Sequence, residues 1–158
     1  MTPAATTEIS PAEALARVEE LVDLTGVRRK LADPEEGKGY SVEHLDVMER
    51  EYRRFLALHT AFPATEIVPC KVVDEIWHQH ILDTRAYASD CDALLGEFLH
   101  HYPYFGMNGP DDAMALADAY ADTLQRYRDA FGEPAPATWI STDAASCGRT
   151  NCKPQKCR

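Results

Sequence analysis

The chain has 158 residues, 45% of them hydrophobic and 27% charged, which suits one folded domain with short tails. Its formal net charge of −10 sets it against phosphate backbones, so nucleic acid is excluded as an expected partner of the folded part. No apolar run is long enough to span a membrane, and the first residues, Met1-Thr2-Pro3-Ala4, lack the basic start and apolar stretch of a signal peptide. The expected location is the cytoplasm, where five cysteines stay reduced and an odd count argues against a disulfide framework.

Residues 1–9 read as an N-terminal tail. Ser10-Pro11-Ala12-Glu13 is a helix start, with a capping serine, proline at the first helical position and glutamate three residues after the cap. Leu15, Val18, Leu21 and Val22 keep helical spacing, and the helix either ends at Gly26 or runs on to Leu31. The stretch Asp33 to Gly39 is a loop by composition. A second helix starts at Ser41 and lines up Leu45, Met48, Tyr52, Phe55, Leu56 and His59. A third begins near Pro69 and is long enough to bend or break near Asp90 or Gly96. His100-His101-Tyr102-Pro103-Tyr104-Phe105-Gly106 reads as a loop, because proline disfavours helix at the residue before it. A fourth helix follows Pro110 and carries Leu116, Tyr120, Leu124, Tyr127 and Phe131. No segment alternates as a strand does. The expected fold is an all-α bundle of about four main helices over residues 10–131, with a flexible cysteine-bearing tail over residues 132–158.

Four of the six histidines fall in two short stretches, His78 and His80 on the third helix and His100 and His101 on the loop after it. Imidazole is the commonest neutral nitrogen ligand for Zn, Cu and Fe, so these four are the candidate metal ligands, with metal identity open. Spacing restricts them. On a regular helix His78 and His80 diverge by about 200°, so both cannot face one site. His80 lies nearer the apolar stripe of Trp77 and Ile81, whereas His78 falls one turn after Asp74, in position for a carboxylate–imidazole contact. Asp83 is placed similarly for His80. The adjacent His100 and His101 point apart in extended backbone. The count that survives is two histidine ligands from four, with Cys91, Asp74, Asp83 or His59 as additions and Trp77 and Tyr87 as pocket walls. The competing reading is that the histidines are satisfied core residues with Asp or Tyr partners.

Cys147, Cys152 and Cys157 sit among basic and polar residues with four residues between neighbours, which fits no strong zinc spacing. They are candidates for soft-metal binding or for a protein contact through the tail.

The run Val73-Asp74-Glu75-Ile76-Trp77-His78-Gln79-His80 through Tyr87 and Asp90-Cys91, followed by His100-His101-Tyr102-Pro103, resembles the bacterial branch of the glycine-rich domain-containing protein-like family over roughly residues 41–106. The resemblance implies a site built from Asp74, Trp77, His78, His80, Tyr87, Asp90 and Cys91, with His100 and His101. It implies no activity, and the eight glycines form no glycine-rich region. Three functions follow as expectations. The first is a metal-dependent protein acting on a small molecule or peptide. The second is a non-enzymatic interaction module with a structural histidine network. The third is thiol chemistry at Cys91 or the tail.

Overall fold

A computed structural model describes residues 8–140. The described residues form seven helices and no strand: α1 Pro11–Leu21, α2 Thr25–Ala32, α3 Val42–Ala61, α4 Lys71–Leu82, α5 Thr84–Leu95, α6 Pro110–Phe131 and α7 Ala137–Ile140. The all-helical class is as expected, but two of the four anticipated helices are each two helices. The chain leaves helical geometry at Val22 and restarts at Thr25. The second break falls at Asp83, earlier than either expected point. Asp83 sits outside helical backbone and its carboxylate accepts a hydrogen bond from the Ala86 amide, so a residue expected to orient His80 instead starts α5. Asp90 lies within α5, and Gly96 at φ 71° ends that helix.

Local chemistry explains the well-read ends. Ser10 and Glu13 form a reciprocal capping box at α1, and Ser41 caps α3 through the His44 amide. α3 is the axis of the fold, packing against α1, α2, α4, α5 and α6. Its buried face therefore runs most of the way round and includes Met48, Glu51, Tyr52, Phe55, Leu56, Ala57 and Leu58.

One of these is a buried carboxylate. Glu51 accepts hydrogen bonds from Tyr127 Oη at 2.7 Å, Trp139 Nε1 at 2.9 Å and Arg50 Nε at 2.9 Å. A buried charge needs such partners. This set fastens α6 and α7 to α3, and Trp139 and Ala135 are core residues. The packed body thus extends past the expected boundary at residue 131. Cys147, Cys152 and Cys157 lie outside the described residues. No helix among the described residues is long and apolar enough to cross a membrane.

Candidate metal centre

The divergence of His78 and His80 on α4 sends the two rings to different hydrogen-bond partners. His80 points into the core and is 1% exposed. Its Nδ1 lies 2.7 Å from Tyr52 Oη on α3, and its Nε2 lies 2.8 Å from Asp90 Oδ2 on α5. Burial lowers its pKa, opposed by the hydrogen bond to Asp90. The consistent assignment is a neutral ring that accepts from Tyr52 and donates to Asp90. Burial also raises the Tyr52 hydroxyl well above its ordinary value, which keeps it a donor. The space beside this network, lined in part by His80, Tyr87, Asp90 and Cys91, is about 10 Å³, no more than one water needs. His80 therefore has core partners on both nitrogens, and the break at Asp83 is what turns α5 back to bring Asp90 to it.

His78 goes the other way. Asp74, one turn earlier on α4, has Oδ2 at 3.4 Å from His78 Nε2. His101 arrives from the loop between α5 and α6, with its Nε2 2.8 Å from Asp74 Oδ1 and 3.0 Å from His78 Nε2. Three ligand-type residues, each offering an atom within 4.8 Å of the others, thus converge from two chain segments. Asp74 is nearly buried, at 6% side-chain exposure, against 14% for His101 and 30% for His78. Burial lowers the His78 pKa, with Asp74 pulling it back up and His101 adding to the depression.

The loop bearing His101 is held by α4 and α5. Trp77 Nε1 donates to Tyr87 Oη at 2.9 Å, and Tyr87 Oη donates to the Leu99 carbonyl, two residues before His101. Burial pushes the Cys91 thiol pKa up, opposed by the Leu99 backbone and the Tyr87 hydroxyl. That environment is the opposite of the one that activates a cysteine nucleophile. The His101 ring then lies against Trp77, centroid to centroid 4.4 Å.

His100, its neighbour, is exposed and its ring lies tilted against Phe98, centroids 4.8 Å apart, instead of joining the three. Of the four histidines expected as ligands, the fold brings together His78 and His101 and leaves His80 and His100 apart. Asp74, expected to orient a ring, is itself one of the converging groups. Sequence reasoning did not assign Tyr52, and it placed Asp90 in the implied site without pairing it with His80. Tyr52 was visible as an apolar-stripe residue, but nothing local paired it with a histidine 28 positions away.

A cavity of about 190 Å³ adjoins the cluster. Asp74, His101 and His100 line it, with apolar walls that include Trp77, Ile67 and Phe105. His59, the last-turn histidine of α3, also lines it. Its Nε2 is buried and has no hydrogen-bond partner. Burial pushes its pKa down to about 4, against a raising hydrogen bond to the Ile67 backbone.

Fold and site together define an all-helical protein with an Asp-His-His cluster beside a small apolar cavity. The chain belongs to the UCP032817-like family, whose model matches residues 24–120, a span that includes Asp74, His78 and His101. This corrects the resemblance drawn from the Trp77–His80 run and Asp90-Cys91: the family matched is not the glycine-rich domain-containing one. Several residues that carried that resemblance, Trp77, His80, Tyr87 and Cys91, are buried here and pack α4 against α5 and the following loop. Neither the curated proteins nor the solved structures include a match to this chain.

Proposed function

We propose that this protein binds one divalent transition metal ion through Asp74, His78 and His101 and uses it on a small molecule held in the adjoining cavity. The observation that carries the reading is the size of the ligand triangle. Atoms bound about 2.0–2.1 Å from one metal lie about 2.9 Å apart at right angles and about 3.4 Å apart at the tetrahedral angle. The three edges here are 2.8, 3.0 and 3.4 Å. Both histidines offer Nε2, so one ion can face both rings and the carboxylate at once.

Two imidazoles and a carboxylate are the donor set of mononuclear Zn(II) hydrolytic sites and of non-haem Fe(II) sites, and the set leaves coordination positions open. Cu(II) also takes nitrogen and oxygen donors, in a tetragonal arrangement. A metal held there would lower the pKa of a bound water or polarise a substrate oxygen. Asp74 and His101 border the cavity directly, so the open positions would face it. His80 stabilises α3, α4 and α5 and takes no part in ligation.

The test is titration of metal-free, tag-free protein with Zn(II), Co(II) and anaerobic Fe(II), following thermal stability and, for Co(II), visible absorption. The expected result is saturation at one equivalent, with Co(II) bands of a nitrogen–oxygen site and stabilisation that grows with free metal. Absence of bands and of any stabilisation across all three metals overturns the proposal.

A further inference from the structure

The candidate metal centre and the cavity share residues. Asp74 and His101 belong to the three-residue cluster and also line the cavity. Trp77 joins the two regions, since it lines the cavity and its ring lies 4.4 Å from that of His101. One compact molecule can therefore touch an apolar wall and a bound ion at once. The lining is graded: Ile67, Val68 and Leu116 are buried, whereas Glu66, His100 and Tyr102 are exposed and form the lip. The volume of about 190 Å³ exceeds the roughly 150 Å³ of an engineered apolar cavity that takes one benzene ring, which leaves room for one ring and a small substituent.

Charge decides the substituent. Histidine binds a metal as the neutral ring, so a divalent ion held by Asp74, His78 and His101 keeps one positive charge unbalanced beside the cavity. A monoanion cancels it, a neutral ligand leaves it standing, and a cation adds to it. A dianion of the phosphate type brings a second negative charge, and no lysine or arginine is among the described residues that line the cavity to meet it. Glu66 lines the cavity too, but it is exposed, so water and salt screen its charge. Among compact monoanions a carboxylate is ionised at neutral pH and presents two oxygens to the open positions of a centre with two imidazoles and one carboxylate.

We infer that the cavity binds a single-ring aromatic monocarboxylate, with the ring against Trp77 and the buried aliphatic walls and the carboxylate on the ion held by Asp74, His78 and His101. The inference rests on the metal reading above and adds the class of ligand.

Benzoate, acetate and toluene are the probes: the first has ring and head, the second the head alone, the third the ring alone. Zinc uptake by the full-length chain is measured first. Calorimetry and ligand-observed NMR then give the three affinities for the metal-free and the Zn(II)-loaded protein. With zinc bound, benzoate is expected to bind about tenfold or more tighter than acetate, the weight of burying one ring. Zinc is expected to raise the benzoate affinity by about tenfold or more, the weight of a close charge pair, and to leave that of toluene unchanged. The methyl resonances of Ile67, Val68 and Leu116 should move with benzoate far more than with acetate, which places the ring in this cavity. His78 does not line the cavity, so His78→Ala disturbs the centre without touching the walls, and the gain from zinc should vanish in it. Equal affinities for benzoate and acetate, or methyl groups that benzoate leaves unmoved, overturn the inference. So does a benzoate affinity indifferent to zinc, or a gain from zinc that survives His78→Ala. In the first three of these cases the ion is still bound and the metal reading stands. A chain that takes up no zinc sinks that reading and the inference with it.

Discussion

Replacing Tyr87 with phenylalanine tests the link between core packing and the candidate metal centre. The ring is 1% exposed and would keep its contacts with His80 and Phe98, so the change isolates the hydroxyl. That hydroxyl accepts from Trp77 Nε1 and donates to the Leu99 carbonyl. Its removal strands the indole N–H, at about 1–3 kcal/mol for a buried unsatisfied group. The Leu99 carbonyl belongs to a half-buried residue, so water can recover part of the second loss. About 2 kcal/mol of destabilisation follows, or about 4–8 °C in melting temperature for a chain of this size. The larger consequence is functional. Leu99 lies two residues before His101, so releasing it loosens the one cluster member contributed by a loop. Supporting partners of metal ligands typically set 10–100-fold in affinity, and a loss of about tenfold or more is expected here. Urea denaturation gives the stability, and competition against a chromophoric chelator gives the metal affinity. A variant as stable as the parent, with the same metal affinity, would refute the claim that Trp77–Tyr87–Leu99 positions the site.

Two further outcomes separate the networks. His80→Ala should cost about 2–5 kcal/mol, since it leaves a cavity and strands Tyr52 and Asp90, while metal stoichiometry measured on the folded variant stays at that of the parent. Loss of the metal from a folded His80→Ala protein would return His80 to the ligand set. His59 gives a pH signature. Its folded pKa of about 4 lies below the unfolded value of about 6.5, so the unfolded chain binds the extra proton and stability drops as pH falls through that window. The full effect is about 3 kcal/mol. Denaturation curves across pH 7 to 4 should therefore be flatter for His59→Phe than for the parent, and equal slopes would contradict the buried neutral ring.

Much of the fold is legible because its signals are local. Ser10 with Glu13, Ser41, Pro110, Gly96 and Gly132 each mark a helix end through a cap or a backbone preference that needs no tertiary information. The break at Asp83 uses the same chemistry, but the apolar stripe continues across it through Ile81 and Tyr87, so periodicity hides it. The site divides in the same way. Asp74 and His78 share a face at four-residue spacing, and the incompatibility of His78 with His80 is a matter of helix geometry. Which of His100 and His101 turns inward depends on the path of the loop, which Tyr87 fixes from a different helix. The pairing of His80 with Tyr52 and Asp90 depends on how α3 and α5 dock on α4, and no spacing within α4 contains it. Trp139 reads as part of the tail that begins at residue 132 because few apolar residues surround it in sequence, whereas its partners Tyr127 and Glu51 come from α6 and α3.

Elemental analysis of tag-free protein loaded with Zn(II) and freed of excess metal tests the central claim most directly. It is done on a chain whose Cys147, Cys152 and Cys157 are replaced by serine, so that no thiol of the C-terminal segment competes for the ion. The account predicts about one ion per chain, falling to none when His78 and His101 are both changed to alanine in a protein that remains folded. An ion absent from the parent, or retained by the doubly substituted chain, would contradict it.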